Sequence, residues 1–233
     1  MPARAICALQ PFRKVSPFCE HGQMGVPLPR IILLDTMRAI AITPPATLPY
    51  EHEWAAALLG AGLYRLHVRK PDFTECEMAG YLAPLVEMGL APRLALHSHY
   101  SLAARFGIPH LHITGKLRGL LLPAECCECT LSTSIHTLRE VLDLRSTPYR
   151  YAFLSPVRPS LSKQGYMPTL SDAELTQALA ASPIPLVALG GVTGGNVAEL
   201  RALGFRAVAA IGAFWHAETL ERAMATLQLL RKA

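Results

Sequence analysis

The stretch "PLVALGGVTGGNVAEL", residues 185–200, decides how the chain folds. Its first five residues read as a buried strand that stops at Gly190-Gly191. A helix pattern begins near Gly194-Gly195-Asn196. A strand that passes through glycines straight into a helix is one half of a βαβ unit. The same alternation recurs on both sides. Strand patterns fall at 39–43, 63–68, 93–97, 109–113, 131–135, 150–155, 185–189 and 206–211. Helix patterns fall between them, at about 51–61, 73–88, 100–106, 136–144, 171–181, 194–203 and 216–231. The fourth connection, "TGKLRGLLLPAECCECT" (114–130), is the least regular. Eight strands, each followed by a helix or a stand-in, predict an α/β fold, a (β/α)₈ TIM barrel forming a single compact domain over 37–233. An open doubly wound sheet is the alternative; no G-x-G-x-x-G follows the first strand to support it.

Residues 1–36 differ in kind. Scattered Pro and Gly, two Cys and no sustained period mark them as an irregular N-terminal extension, with no apolar core of a secretory signal. They read as an appendage, an upstream stretch of reading frame. Across the chain, hydrophobic residues reach 51% and charged residues 17%, so a large core is expected. No apolar run approaches the roughly 18 residues that span a bilayer, so the protein is expected to be soluble and not membrane-bound. The net charge of +5 suits small anions and gives no specific case for nucleic acid. The six cysteines form no regular framework and read as reduced thiols of a cytoplasmic protein. Cys126-x-x-Cys129 is half a zinc motif without its second half.

Barrel chemistry sits at the C-terminal ends of strands, which shortens the search. The loops after the seventh and eighth strands carry Gly190, Gly191, Ile211 and Gly212, where backbone amides can approach a phosphate. The long loop "LSPVRPSLSKQGYMPT" (154–169) offers Ser160, Ser162 and Lys163 to an anion. In "LYRLHVRKPD" (63–72), His67 and Arg69 share a parity and can face the mouth, with Lys70 beginning the loop. In "STSIHTLREV" (132–141), Ser134 and His136 share a parity, and an imidazole at a strand end is a ready general base. Four histidines, His97, His99, His110 and His112, crowd into "LHSHYSLAARFGIPHLHIT" (96–114). They can serve a zinc ion, proton chemistry or substrate contact. His97 and His112, at strand ends, are the candidates for substrate contact and proton traffic, and His110 sits deeper.

Taken in order, "HVRKP", "HLHIT", "STSIHTLREV", "LSPVRPSLSKQGY", "VALGGVTGGNVAEL" and "AVAAIGAFW" resemble the thiamine phosphate synthase and TenI family across residues 38–215. The resemblance implies an enzyme of thiamine synthesis acting on a phosphorylated thiazole, in a family that often forms homodimers. It implies that Arg69, Ser160, Ser162 and Lys163 hold anionic groups and that Gly191, Ile211 and Gly212 cradle phosphate. It places His136 at the proton shuttle of TenI-type thiazole tautomerases.

The departures are informative. Synthases of this family hold Mg²⁺ with one aspartate after the third strand and another beyond the fourth. Here His97-Ser98 and Gly115-Lys116-Leu117 occupy those slots. Mg²⁺ demands oxygen ligands, so no metal ligands are expected and no cofactor. These residues point to a metal-independent thiazole tautomerase, with His136, His67 and His97 as its catalytic groups. Thiamine phosphate synthase itself, which would need Mg²⁺, is the first alternative, and a non-catalytic barrel binding a thiamine precursor is the second.

Overall fold

The computed structural model describes residues 36–119, 122, 124–145, 147–159, 168 and 170–232. Apart from Thr36, the N-terminal extension lies outside the described residues, as do Ser160, Ser162 and Lys163. Eight parallel strands close on themselves in sequence order. They are β1 (Arg38–Ile42), β2 (Arg65–Val68), β3 (Leu94–Leu96), β4 (His110–Ile113), β5 (Thr130–Ile135), β6 (Tyr149–Leu154), β7 (Leu186–Leu189) and β8 (Ala207–Ala210). The first and last strands pair with Arg38 beside Ala207, which seals the barrel.

The expected helices follow their strands: α1 (Glu51–Gly60), α2 (Glu75–Glu87), α3 (Ser101–Phe106), α4 (Leu138–Leu142), α5 (Asp172–Ala181) and α6 (Val197–Leu203). The last expected helix, 216–231, is the long α8 (Leu220–Lys232), and a single turn outside the expected set, α7 (Gly212–Trp215), precedes it. Among the described residues the fourth connection holds only two 3-10 turns, Gly115–Leu117 and Ala124–Cys126. Local chemistry sets several helix starts. Thr74 with Glu77 and Ser171 with Glu174 form capping boxes that satisfy first-turn amides of α2 and α5. Thr137 caps α4 in the simpler way.

Alternation along each strand divides the core in two. Outward residues such as Leu66, Leu96, Leu111, Ile135 and Leu154 pack on helix residues such as Leu58, Leu82 and Leu175, with Phe214 and Trp215 completing the seam. Inward residues of β6, β7, β8 and β1 form a second apolar cluster of Tyr151, Phe153, Val187, Ala209, Ile40 and Ile42. The same parity on β2 to β5 places Arg65, His67, His97, His110, His112, Ser132 and Ser134 inside the barrel.

Candidate active site

From the barrel floor upward, the polar half of the interior is one chain of contacts. Arg65, 8% exposed, reaches Tyr151 Oη with Nη1 at 3.2 Å and His110 Nε2 with Nη2 at 2.9 Å. Tyr151 Oη lies 2.8 Å from His67 Nε2, and His67 Nδ1 lies 2.9 Å from His97 Nε2. His112 stands beside them, its Nδ1 3.0 Å from Ser132 Oγ and its Nε2 2.9 Å from Ser134 Oγ. The His112 ring stacks on His97 at 4.2 Å between centroids and on Phe153 at 4.9 Å.

Electrostatics keep these rings neutral. Burial pushes His112 down to about 3 and, with Arg65 adding to it, His110 down to about 4. His67 and His97 are held well below the ordinary histidine value, by burial first and then by neighbouring rings and by Arg65 or Arg69. A neutral imidazole offers one donor and one acceptor.

The structure redistributes the expected site residues. His67 and His112 have no exposed surface, and His67 lies between His97 and Tyr151, so neither ring fronts the mouth. Lys70, expected among the substrate-binding groups, turns the other way. Its wholly buried ammonium pairs with Glu51 at 2.7 Å and donates to the carbonyls of Pro44 and Ala46. Parity explains this, because Lys70 follows Arg69 and faces the opposite side. The Arg69 guanidinium has no hydrogen-bond or carboxylate partner among the described residues, and its backbone is pinned to Thr43 at 2.8 Å. Arg65 and Tyr151, absent from the expected set, are central to the network. Their parity with His67 and Phe153 was the available signal.

His136 follows the end of β5 and meets the end of β6, where its Nδ1 donates to the Ser155 carbonyl at 2.7 Å. A carbonyl only accepts, so Nδ1 carries the proton in this bond. Its own amide donates to Glu140, which also pairs with Arg118. After β7, the neighbour of β6, Gly190 and Gly191 have φ of +89° and +66°. A Cβ on Gly191 would stand 2.4 Å from the Pro159 carbonyl oxygen, so the loop after β6 packs where a side chain would be. Ile211 and Gly212 open α7, and Asn196 locks the β7 loop by donating to the Gly191 carbonyl at 2.7 Å.

Of the four H-x-H histidines, only His97 and His112 come together, and His67 joins them in a group whose ligand atoms lie within 4.8 Å of one another. His110 is on the floor with Arg65, and His99 is in the loop at φ +52°. Cys126 and Cys129 contact the carbonyls of Tyr100 and Ile108 and are outside that group. Among the described residues no cluster of carboxylates faces the ends of β3 and β4. The His97-Ser98 and Gly115–Leu117 positions therefore do not fit Mg²⁺, which takes oxygen ligands in an octahedron.

The family model described as "Thiamine monophosphate synthase" (TMP-TENI) matches residues 39–214. The chain belongs to the thiamine monophosphate synthase/TenI family. Within this family, the thiamine-phosphate synthase of Salinispora arenicola is 41% identical over 75 residues, 32% of this chain and 36% of that protein. The chain thus spans about a third of the length of the first curated relatives it matches. The thiamine-phosphate synthase of Yersinia pestis (strain Pestoides F) is 26% identical over 179 residues, covering 75% of this chain and 83% of that protein. Among solved structures, thiamine phosphate pyrophosphorylase from Bacteroides thetaiotaomicron superposes with a TM-score of 0.66 at 25% identity, covering 83% of this chain and 95% of that one. The Pyrococcus furiosus protein of the same name, at 18% identity and a TM-score of 0.68 over 83% of this chain and 93% of its own, supports the fold alone.

Proposed function

We propose that this member of the thiamine monophosphate synthase/TenI family is a metal-independent thiazole tautomerase acting on a phosphorylated thiazole carboxylate. One observation carries the reading: His97, Ser98 and Lys116 stand where Mg²⁺ ligands would be needed, at the mouth where His136 is anchored to the Ser155 carbonyl. Displacing pyrophosphate leans on a metal to neutralise the leaving group. Isomerisation does not. His136 takes a proton from one carbon of the substrate and returns it to another, aromatising the ring with no atom gained or lost. The backbone at Gly190, Gly191, Ile211 and Gly212 holds the phosphate, and Arg69 holds the carboxylate as a charge-assisted partner. Ser160, Ser162 and Lys163 belong to the same reading as the anion clamp of the β6 loop. A cytoplasmic homodimer is part of it too.

A synthase is the second reading, favoured by the names of the curated relatives. The test gives the purified chain two assays. In the first, thiazole carboxylate phosphate isomerises without added metal, and His136→Ala slows this by about 10²–10⁴-fold. In the second, pyrimidine pyrophosphate, thiazole phosphate and Mg²⁺ yield no thiamine phosphate. Robust product in the second assay, or full activity of His136→Ala in the first, overturns the proposal. Stabilisation by thiazole phosphate with no turnover in either assay assigns a non-catalytic binding role instead.

A further inference from the structure

We infer that Arg65, acting through Tyr151 and His67, holds the His97 ring protonated on Nδ1 and so makes His97 a hydrogen-bond donor to a substrate oxygen at the barrel mouth. A guanidinium has donors and no acceptor. Tyr151 Oη therefore accepts from Arg65 Nη1, and its single proton is assigned to the 2.8 Å contact with His67 Nε2. Ser132 is a further hydroxyl partner of Tyr151 and itself donates to the Leu111 carbonyl at 3.3 Å, so the His97 tautomer rests on the Tyr151 proton lying in the 2.8 Å contact to His67. With Nε2 accepting, neutral His67 carries its proton on Nδ1 and donates it to His97 Nε2 at 2.9 Å. Neutral His97 then has one place left for its own proton, Nδ1.

That nitrogen has no partner among the described residues and is not a buried unsatisfied atom, so it reaches the open side of a residue that is 8% exposed. The same count applied to His112 gives a matching result. Ser132 donates to Leu111, so it accepts from His112 Nδ1, and His112 Nε2 accepts from Ser134. All three Nε2 lone pairs are thus occupied, by Tyr151, His67 and Ser134. A metal ion at these rings would have to displace three hydrogen bonds beside two guanidinium groups, with no carboxylate to offset the charge. The cluster is a relay of proton positions, not a ligand set.

The role follows from the tautomer. His97 presents N–H to an acceptor oxygen, a carboxylate or carbonyl of the ligand, and is not a general base. Arg65, Tyr151 and His67 are positioning residues that never touch the ligand. Identifying the oxygen as the thiazole carboxylate rests on the proposed tautomerase activity; the tautomer itself does not.

The experiment is long-range ¹H–¹⁵N correlation spectroscopy of the full chain labelled with ¹⁵N-histidine at neutral pH. The His97 signals are assigned by their loss in His97→Gln. The expected ring is neutral, protonated on Nδ1, with a pyridine-type Nε2, and sodium formate as a carboxylate probe shifts Nδ1. In Tyr151→Phe, His67 loses the proton that fixes its Nε2 as acceptor, and both tautomers of the His67–His97 pair become populated. A proton on His97 Nε2, an imidazolium at neutral pH, or a formate titration that leaves His97 unmoved overturns the inference. So does one equivalent of Zn²⁺ shifting all three rings together. If Tyr151→Phe does not fold, the wild-type tautomer still decides. Because the readout needs no turnover, its failure is separable from failure of the tautomerase reading.

Discussion

The two halves of the barrel interior are held together by different physics. From β6 round to β1, Phe153, Val187, Ala209, Ile40 and Ile42 fill the interior with apolar surface. From β2 to β5 the same inward positions hold arginine, histidine and serine. The apolar half is stabilised by burial and contact, which are roughly proportional to area and nearly indifferent to orientation. The polar half is stabilised only where each donor meets an acceptor, because an unmatched polar group in a dry interior costs more than a matched one gains. Its geometry is therefore specified more tightly than its stability requires. Arg69 and His97, after β2 and β3, lie over this half, while Gly190, Gly191, Ile211 and Gly212 lie over the apolar one.

The largest expected effect tests the apolar side. Phe153 has no exposed surface and faces both halves, lying 4.8 Å from the His67 ring and 4.9 Å from His112 between centroids. Phe153→Ala is expected to cost about 3–5 kcal/mol in urea denaturation, the usual range for a large aromatic deleted from a close-packed core. A loss below about 1 kcal/mol would show that the polar half carries the interior by itself.

Much of this architecture was legible in the sequence, and the limits of legibility follow the same division. Short strand-like runs alternating with helix patterns mark the barrel, with glycine stops after β7 and β8. Parity placed His67, His97 and His112 inside the barrel, because alternation is a local property of the chain. The pairing of His67 with His97 and Tyr151 was not legible, because those contacts join β2 to β3 and β6 and depend on register. Lys70 shows a signal that was present and unused. Adjacent to Arg69, it had to face the other way, and there Glu51 from α1 completes a buried ion pair. His136 was singled out from its position, while the Ser155 carbonyl that its Nδ1 meets lies 19 residues away.

The next effect concerns pH and belongs to the polar half alone. His112 falls to about 3 in the fold through burial, against about 6.5 in the unfolded chain. Between those values the unfolded chain binds the proton and the folded one does not. Stability is therefore complete above about pH 6.5 and falls as pH drops towards the folded value. From pH 8 to pH 5 this ring alone is expected to remove about 2 kcal/mol, with His67 and His97 acting in the same direction. Urea midpoints measured across that range check it, and His112→Asn should flatten the slope. A midpoint independent of pH would mean that these rings are not kept neutral.

The smallest effect sharpens the comparison within the polar half. Ser132 and Ser134 each bond one nitrogen of His112, at 3.0 and 2.9 Å, but Ser132 is 1% exposed while Ser134 is only half-buried. Ser132→Ala leaves the His112 Nδ1–H without an acceptor where water has no access, at a cost of about 1–3 kcal/mol. Ser134→Ala opens a place near the mouth where water can donate to His112 Nε2 in its stead, so about 0.5 kcal/mol is expected. Equal losses for the two variants would mean that the mouth is as dry as the floor. The depth at which water stops replacing protein groups would then lie above Ser134, and His97 would meet its ligand without solvent to compete.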